Sequence, residues 1–214
     1  MKKIPIQSML PGSPMAQPAT QLPPVPRELL AEADNLINVR FNSPGTLMEH
    51  LTLAYRFLDK VSRQHVSKFA TCSKGCSHCC RMDVQLTTFE AEYIVVATGI
   101  PHAPATPLST GHRDACPFLS NAGTCSIYAV RPLFCRTYHV LSEPDLCGVP
   151  GADVTMYGSQ QSNMGNILYR GFATWVHFQN QHATGGVKDI RDFFPHDPAQ
   201  IQQHLAARPP SVPA

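Results

Sequence analysis

The chain has 214 residues, 43% of them hydrophobic and 15% charged, with a formal net charge of +2. That length and apolar content fit one ordinary domain with frayed ends, and the small charge excludes a broad basic surface for nucleic acid or an anionic membrane. The opening MKKIPIQSMLPGSPMAQP is broken by Pro5, Pro11 and Pro14, so it lacks the apolar stretch of a signal peptide, and no later run reaches the length of a membrane span. The expected setting is therefore cytoplasmic, where thiols stay reduced and clustered cysteines serve metal binding or redox chemistry.

Residues 1–27 are rich in Pro, Gly, Ser and Gln and are expected to be a disordered tail. A single helical domain is expected over 28–195. It begins with Leu29, Leu30, Ala33, Leu36 and Ile37 at helical spacing. After Asn42-Ser43-Pro44-Gly45 a longer helix follows, with Leu47, Leu51, Ala54, Phe57, Leu58 and Val61 on one face. Thr87-Thr88-Phe89-Glu90 has the pattern of a capping box that starts a helix running to about Ala97, stopped by Gly99 and Pro101. A third helical stretch is predicted over 157–182, with Met164, Ile167, Leu168, Phe172, Trp175, Val176 and Phe178, and a short one near Val187–Phe194. Strand patterning is slight. Residues 196–214, which contain Arg208-Pro209-Pro210 and Pro213, are expected to be a flexible tail.

All eight cysteines lie between Cys72 and Cys147, and Cys72, Cys76, Cys79 and Cys80 fall within nine residues. On a helix their offsets would form one stripe; in a knuckle, Gly75 would let the backbone turn around an ion. Crowded thiolates repel one another, and a cation removes that repulsion while keeping them deprotonated. Soft sulfur ligands select zinc, iron–sulfur clusters or Cu(I) over magnesium or calcium. Cys116, Cys125, Cys135 and Cys147 extend the set, and eight thiols suffice for two four-ligand sites or for one site with buried spares. Bulky apolar residues alternate with the later cysteines and would exclude water from a centre. Arg131 and Arg136 are placed to donate to sulfur or to an acidic partner.

Read together, Cys-x3-Cys-x2-Cys-Cys, then Leu86-Thr87 with Glu90, then Cys116-Pro-Phe-Leu, then Cys125-x-Ile-Tyr-x-x-Arg-Pro-x-x-Cys135-Arg resemble the YkgJ-type cysteine-cluster (CxxCxxCC) family over about residues 70–140. The resemblance implies a mostly bacterial zinc- or iron-chelating domain, with Cys72, Cys76, Cys79, Cys80, Cys116, Cys125 and Cys135 as ligands. It is also similar to the cysteine-rich part of flagellin lysine methylases, which implies an iron–sulfur option. Tyr138-His139 stands where an apolar residue and Pro would be expected.

The plainer readings assign His78 and His139 to surface or outer positions, His102, His112, His177 and His182 to the surface, Glu90 to a helix cap and Trp175 to the core. Arg131-Pro132 reads as a helix start. No Ser/His/Asp set, paired carboxylates or phosphate loop appears, so no catalytic residue is assigned. The expectation is a mainly α protein: a small helical domain around an irregular cysteine-rich metal-binding centre that holds zinc or an iron–sulfur cluster. The alternatives are an iron–sulfur redox component of a protein-modifying enzyme, with a protein partner, or a thiol sensor built on Cys79 and Cys80.

Overall fold

The computed structural model describes residues 22–72, 75–103, 108–158 and 165–213. The architecture is mainly helical, as the apolar periodicity predicts. Helix α1 (Arg27–Asn38) buries Leu29, Ala33 and Leu36. Helix α2 (Leu47–Gln64) starts at a capping box in which Thr46 accepts from the Glu49 amide and Glu49 accepts from the Thr46 amide. The box satisfies two otherwise orphaned donors at the helix start. Its buried stripe of Leu51, Ala54, Tyr55, Leu58 and Val61 makes α2 the central rod. Each of its leucine and valine side chains contributes roughly 1.5–3 kcal/mol on full burial.

Helix α3 (Thr88–Thr98) begins at the predicted Thr87/Glu90 box and ends at Gly99. Helix α5 (Asn166–His182) packs on α1 and α3. Trp175 lies 4.3 Å from the Phe41 ring, and Phe172 stacks on Phe57 at 5.2 Å, so Trp175 is a core residue as expected. Gly171 in mid-helix costs about 1 kcal/mol of helix propensity relative to Ala. Its reason is contact: a Cβ there would collide with the tip of Ile37, so glycine lets α5 close on α1.

Two small antiparallel ribbons tie distant segments together. Strand β1 (Gln85–Thr87) pairs with β4 (Val187–Asp189), with Leu86 opposite Lys188. Strand β2 (Tyr138–Val140) pairs with β3 (Met156–Gly158), with His139 opposite Tyr157. The predicted helix over 157–182 therefore begins only at Asn166: residues 156–158 are drawn into a strand by β2, a long-range pairing that local periodicity does not encode. Met164 lies outside the described residues. Of the segment 187–194, the first three residues are strand and only α6 (Ile190–Phe193) is helical.

Both tails need correction where they are described. Residues 1–21 lie outside the described residues, but Leu22 and Val25 pack against the core, and the Pro26 carbonyl accepts from Leu29 and Leu30. The C-terminal segment holds α7 (Pro198–Ala207), started by the Asp197 side chain, which accepts from the Ala199 amide. Its Ile201 and Leu205 are buried, so a short amphipathic face overrides the flexible-tail reading. Beyond it, Ser211 N–H donates to the Ala97 carbonyl and Thr52 Oγ1 donates to the Pro213 carbonyl at 3.1 Å. Among the described residues no helix is long and apolar enough to cross a membrane.

Candidate metal centre

The cysteines sit on turns and short elements anchored to the helical shell. Thr71 bonds to β2 through its amide and hydroxyl, and the Val140 amide donates to Cys72 Sγ at 3.1 Å. Gly75 has φ +100°, a left-handed conformation that glycine adopts without strain. A 3-10 turn, His78–Arg81, carries Cys79 and Cys80. The four clustered cysteines thus lie on a glycine-containing turn, not on a continuous helical stripe. The Cys116 amide donates to the Cys80 carbonyl at 2.7 Å. Cys125 lies on a tight reversal bridged to Leu119. Cys135 is carried by α4 (Leu133–Thr137), which packs on α2. Cys147 lies in a 3-10 turn, Pro144–Gly148, packed on the His78–Arg81 turn.

The electrostatics sort the eight free thiols. Burial pushes Cys116 up to about 12, and the nearby Cys125 and Cys80 push the same way. Cys125 is raised to about 11 by burial and then by Cys80. Cys135 is raised by burial and by Cys125, Cys116 and Cys80. These four are therefore mutual neighbours. The others form a second group: Cys72 is raised by burial and by Cys76, and Cys147 by burial, Cys72 and Cys76. Cys79 bridges the groups. It donates to Cys80, which holds Cys79 protonated and favours the Cys80 thiolate, and it also neighbours Cys76 and Cys135. Tyr138 faces the second group, its phenol pushed to about 12 by burial and by Cys147, Cys79 and Cys72.

Cations surround the first group. Arg191 and Arg81 favour the Cys80 thiolate, and Arg131 and Arg136 act on Cys125. The fully buried Arg136 pairs with Asp59 at 2.7 Å and lies over the Tyr55 ring, while Arg131 reaches the same carboxylate at 3.3 Å and lies over Tyr128. Of the two expected roles for these arginines, the acidic partner is the one observed. Arg191 clamps the group from outside, donating to the carbonyls of Cys80, Met82 and Asp114.

Glu90 does more than cap α3. Its Oε2 accepts from the Thr87 amide and hydroxyl, while Oε1 accepts from Tyr55 Oη and from the Leu133 amide at 2.7 Å. One carboxylate thus fixes the start of α3 and the start of α4. The capping pattern revealed half of this role; the other half joins residues 43 apart in sequence.

His78 lies 3.4 Å from the Asp145 carboxylate, between the two turns of the second thiol group. His139 is buried, which rules out the exposed alternative, because β2–β3 pairing turns it inward; burial and Arg131 lower it to about 4. His102 and His112 are partly buried and bonded, to Glu92 and Ser109 respectively. Sequence reasoning missed Asp83, His112 and Asp189, whose ligand atoms lie within 4.8 Å of one another. Their oxygens already accept from the backbone amides of Gly111, His112, Val84 and Arg191, which closes the loop before Cys116 onto the β1–β4 ribbon. No local motif joins three such distant positions.

The donor set of the cysteine segment, eight free thiols, is of the kind that soft metals select. Against known families, residues 71–160 match CxxCxxCC, described as "Putative zinc- or iron-chelating domain". That segment is similar to the CxxCxxCC family. The matched segment contains all eight cysteines, Cys147 included, and the chain's first spacing is three residues where the family's name has two. No curated protein and no solved structure matches the chain.

Proposed function

We propose that the cysteine segment holds two adjacent iron–sulfur clusters, an inner one on Cys80, Cys116, Cys125 and Cys135 and an outer one on Cys72, Cys76, Cys79 and Cys147. Four thiolates per cluster is the usual complement. One observation carries the reading: Cys80, Cys116, Cys125 and Cys135 act on one another, and Cys147 is acted on by Cys72 and Cys76, so the thiols gather as two sets of soft donors rather than one.

Bound clusters would supply one-electron storage. The chain's residues tune and shelter them: Phe118, Ile127 and Leu133 are buried in the same segment, guanidinium groups offset charge at the inner thiols, and the Val140 amide donates to Cys72. The reading is an electron-carrying module that works with a protein partner. Protein purified without oxygen should be brown and contain iron and acid-labile sulfide in matching amounts. Zinc without sulfide would overturn the cluster assignment and make the domain a zinc chelator.

A further inference from the structure

The two thiol groups are held very differently. Every inner ligand is fixed by bonds that would have to break before it could leave. Cys135 rides on α4, whose first amide is held by Glu90 and whose Arg136 is fully buried against Asp59. Cys116 is tied to the Cys80 carbonyl, and Arg191 spans the carbonyls of Cys80 and Asp114. The Cys125 reversal is closed by Ser120 and Thr124 and by two bonds from Ser126 to the Phe118 carbonyl.

The outer group has a weak member. Cys147 sits on the Pro144–Gly148 turn, which has no buried residue. Asp145 on that turn is 99% exposed in its side chain, and Val149 just beyond is 54% exposed. The turn's own ties are the amides of Leu146 and Val149, donating to Glu143 and Leu146, together with the His78–Asp145 contact. Opening one such turn exposes little apolar surface, so it belongs to the low-energy end of local unfolding.

We infer that the outer centre is the exchangeable one, loaded and emptied through opening of the Pro144–Gly148 turn to thiol or other chelating ligands, while the inner centre is retained. This rests on the two-centre reading above. A bound centre holds its ligands as thiolates, and loss requires a ligand to detach and a competitor to reach the metal. Cys147 detaches with one turn, whereas detaching any inner cysteine breaks α4, the Arg191 clamp or the Cys125 reversal.

The test follows iron release from anaerobic full-length protein under excess bathophenanthroline disulfonate. Two phases of similar amplitude are expected, the fast one at least tenfold faster. Cys147→Ala should lose the fast phase and about half the iron yet keep the slow phase, and Asp145→Pro, which leaves every thiol in place, should change only the fast rate. A single phase in the wild type, or a fast phase that survives in Cys147→Ala, would overturn the inference. Iron and sulfide sufficient for one cluster would overturn the two-centre reading as well. If zinc is found instead, the cluster assignment fails alone, and biphasic zinc release to a colorimetric zinc dye decides the exchange inference in the same way.

Discussion

Arg136 concentrates the energetic risk at the residue scale. Its guanidinium is buried and neutralised by Asp59, so Asp59→Asn leaves a buried cation short of a partner. Breaking such a pair costs about 3 kcal/mol, and denaturant unfolding of the variant should show a loss of that size. His139 sets a pH dependence. Burial lowers it from 6.5 to about 4, so the unfolded chain takes up this proton first as pH falls. Its contribution to stability is full above about pH 6.5 and is lost as pH falls through 4, amounting to about 3 kcal/mol. His139→Phe, which keeps a ring in place, should flatten the stability profile over that window in denaturant titrations at several pH values. The acidic partner of Arg136 was among the roles legible in the sequence, whereas the burial of His139 was not. Tyr138-His139 read as a local irregularity because the strand that pairs with it, β3, and the ring beside His139, Tyr169, both lie far along the chain.

At the scale of elements, the helices were the readable part. The apolar stripe of α2 and the Thr87/Glu90 box of α3 depend on residues three or four apart, so the sequence alone carries them. The box at Thr46 and Glu49 follows the same rule and went unnoticed behind the more conspicuous turn at Pro44-Gly45. Thr46→Ala should cost about 1 kcal/mol, and Leu58→Ala, at a fully buried position of the central rod, about 3 kcal/mol. Both are read from unfolding midpoints. The strands and α7 were missed for a common reason. Each ribbon has three-residue strands, too short for an alternating pattern to register, and their existence depends on a partner far along the chain.

Across the whole molecule, the cysteine segment and the helical shell contribute unequally to folding. Leu51, Leu58, Phe172 and Val176 are buried outside the segment, whereas the segment itself is made mostly of turns. Chelating the metal should therefore lower the melting temperature yet leave most of the helical circular-dichroism signal. The likeness of the cysteine segment to a zinc- or iron-chelating family was legible, because residue type and order alone carry it. How the thiols neighbour one another was not, since Cys79 adjoins Cys80 in the chain and also reaches Cys76 and Cys135 in space. The Glu90 carboxylate carries this organisation outward. Because it accepts from the amides of Thr87 and Leu133 together, fraying of α3 and displacement of α4 are a single event. Those two amides should exchange their protons for deuterium at a common rate, and filling the inner centre should slow both, making a helix cap a remote reporter of occupancy.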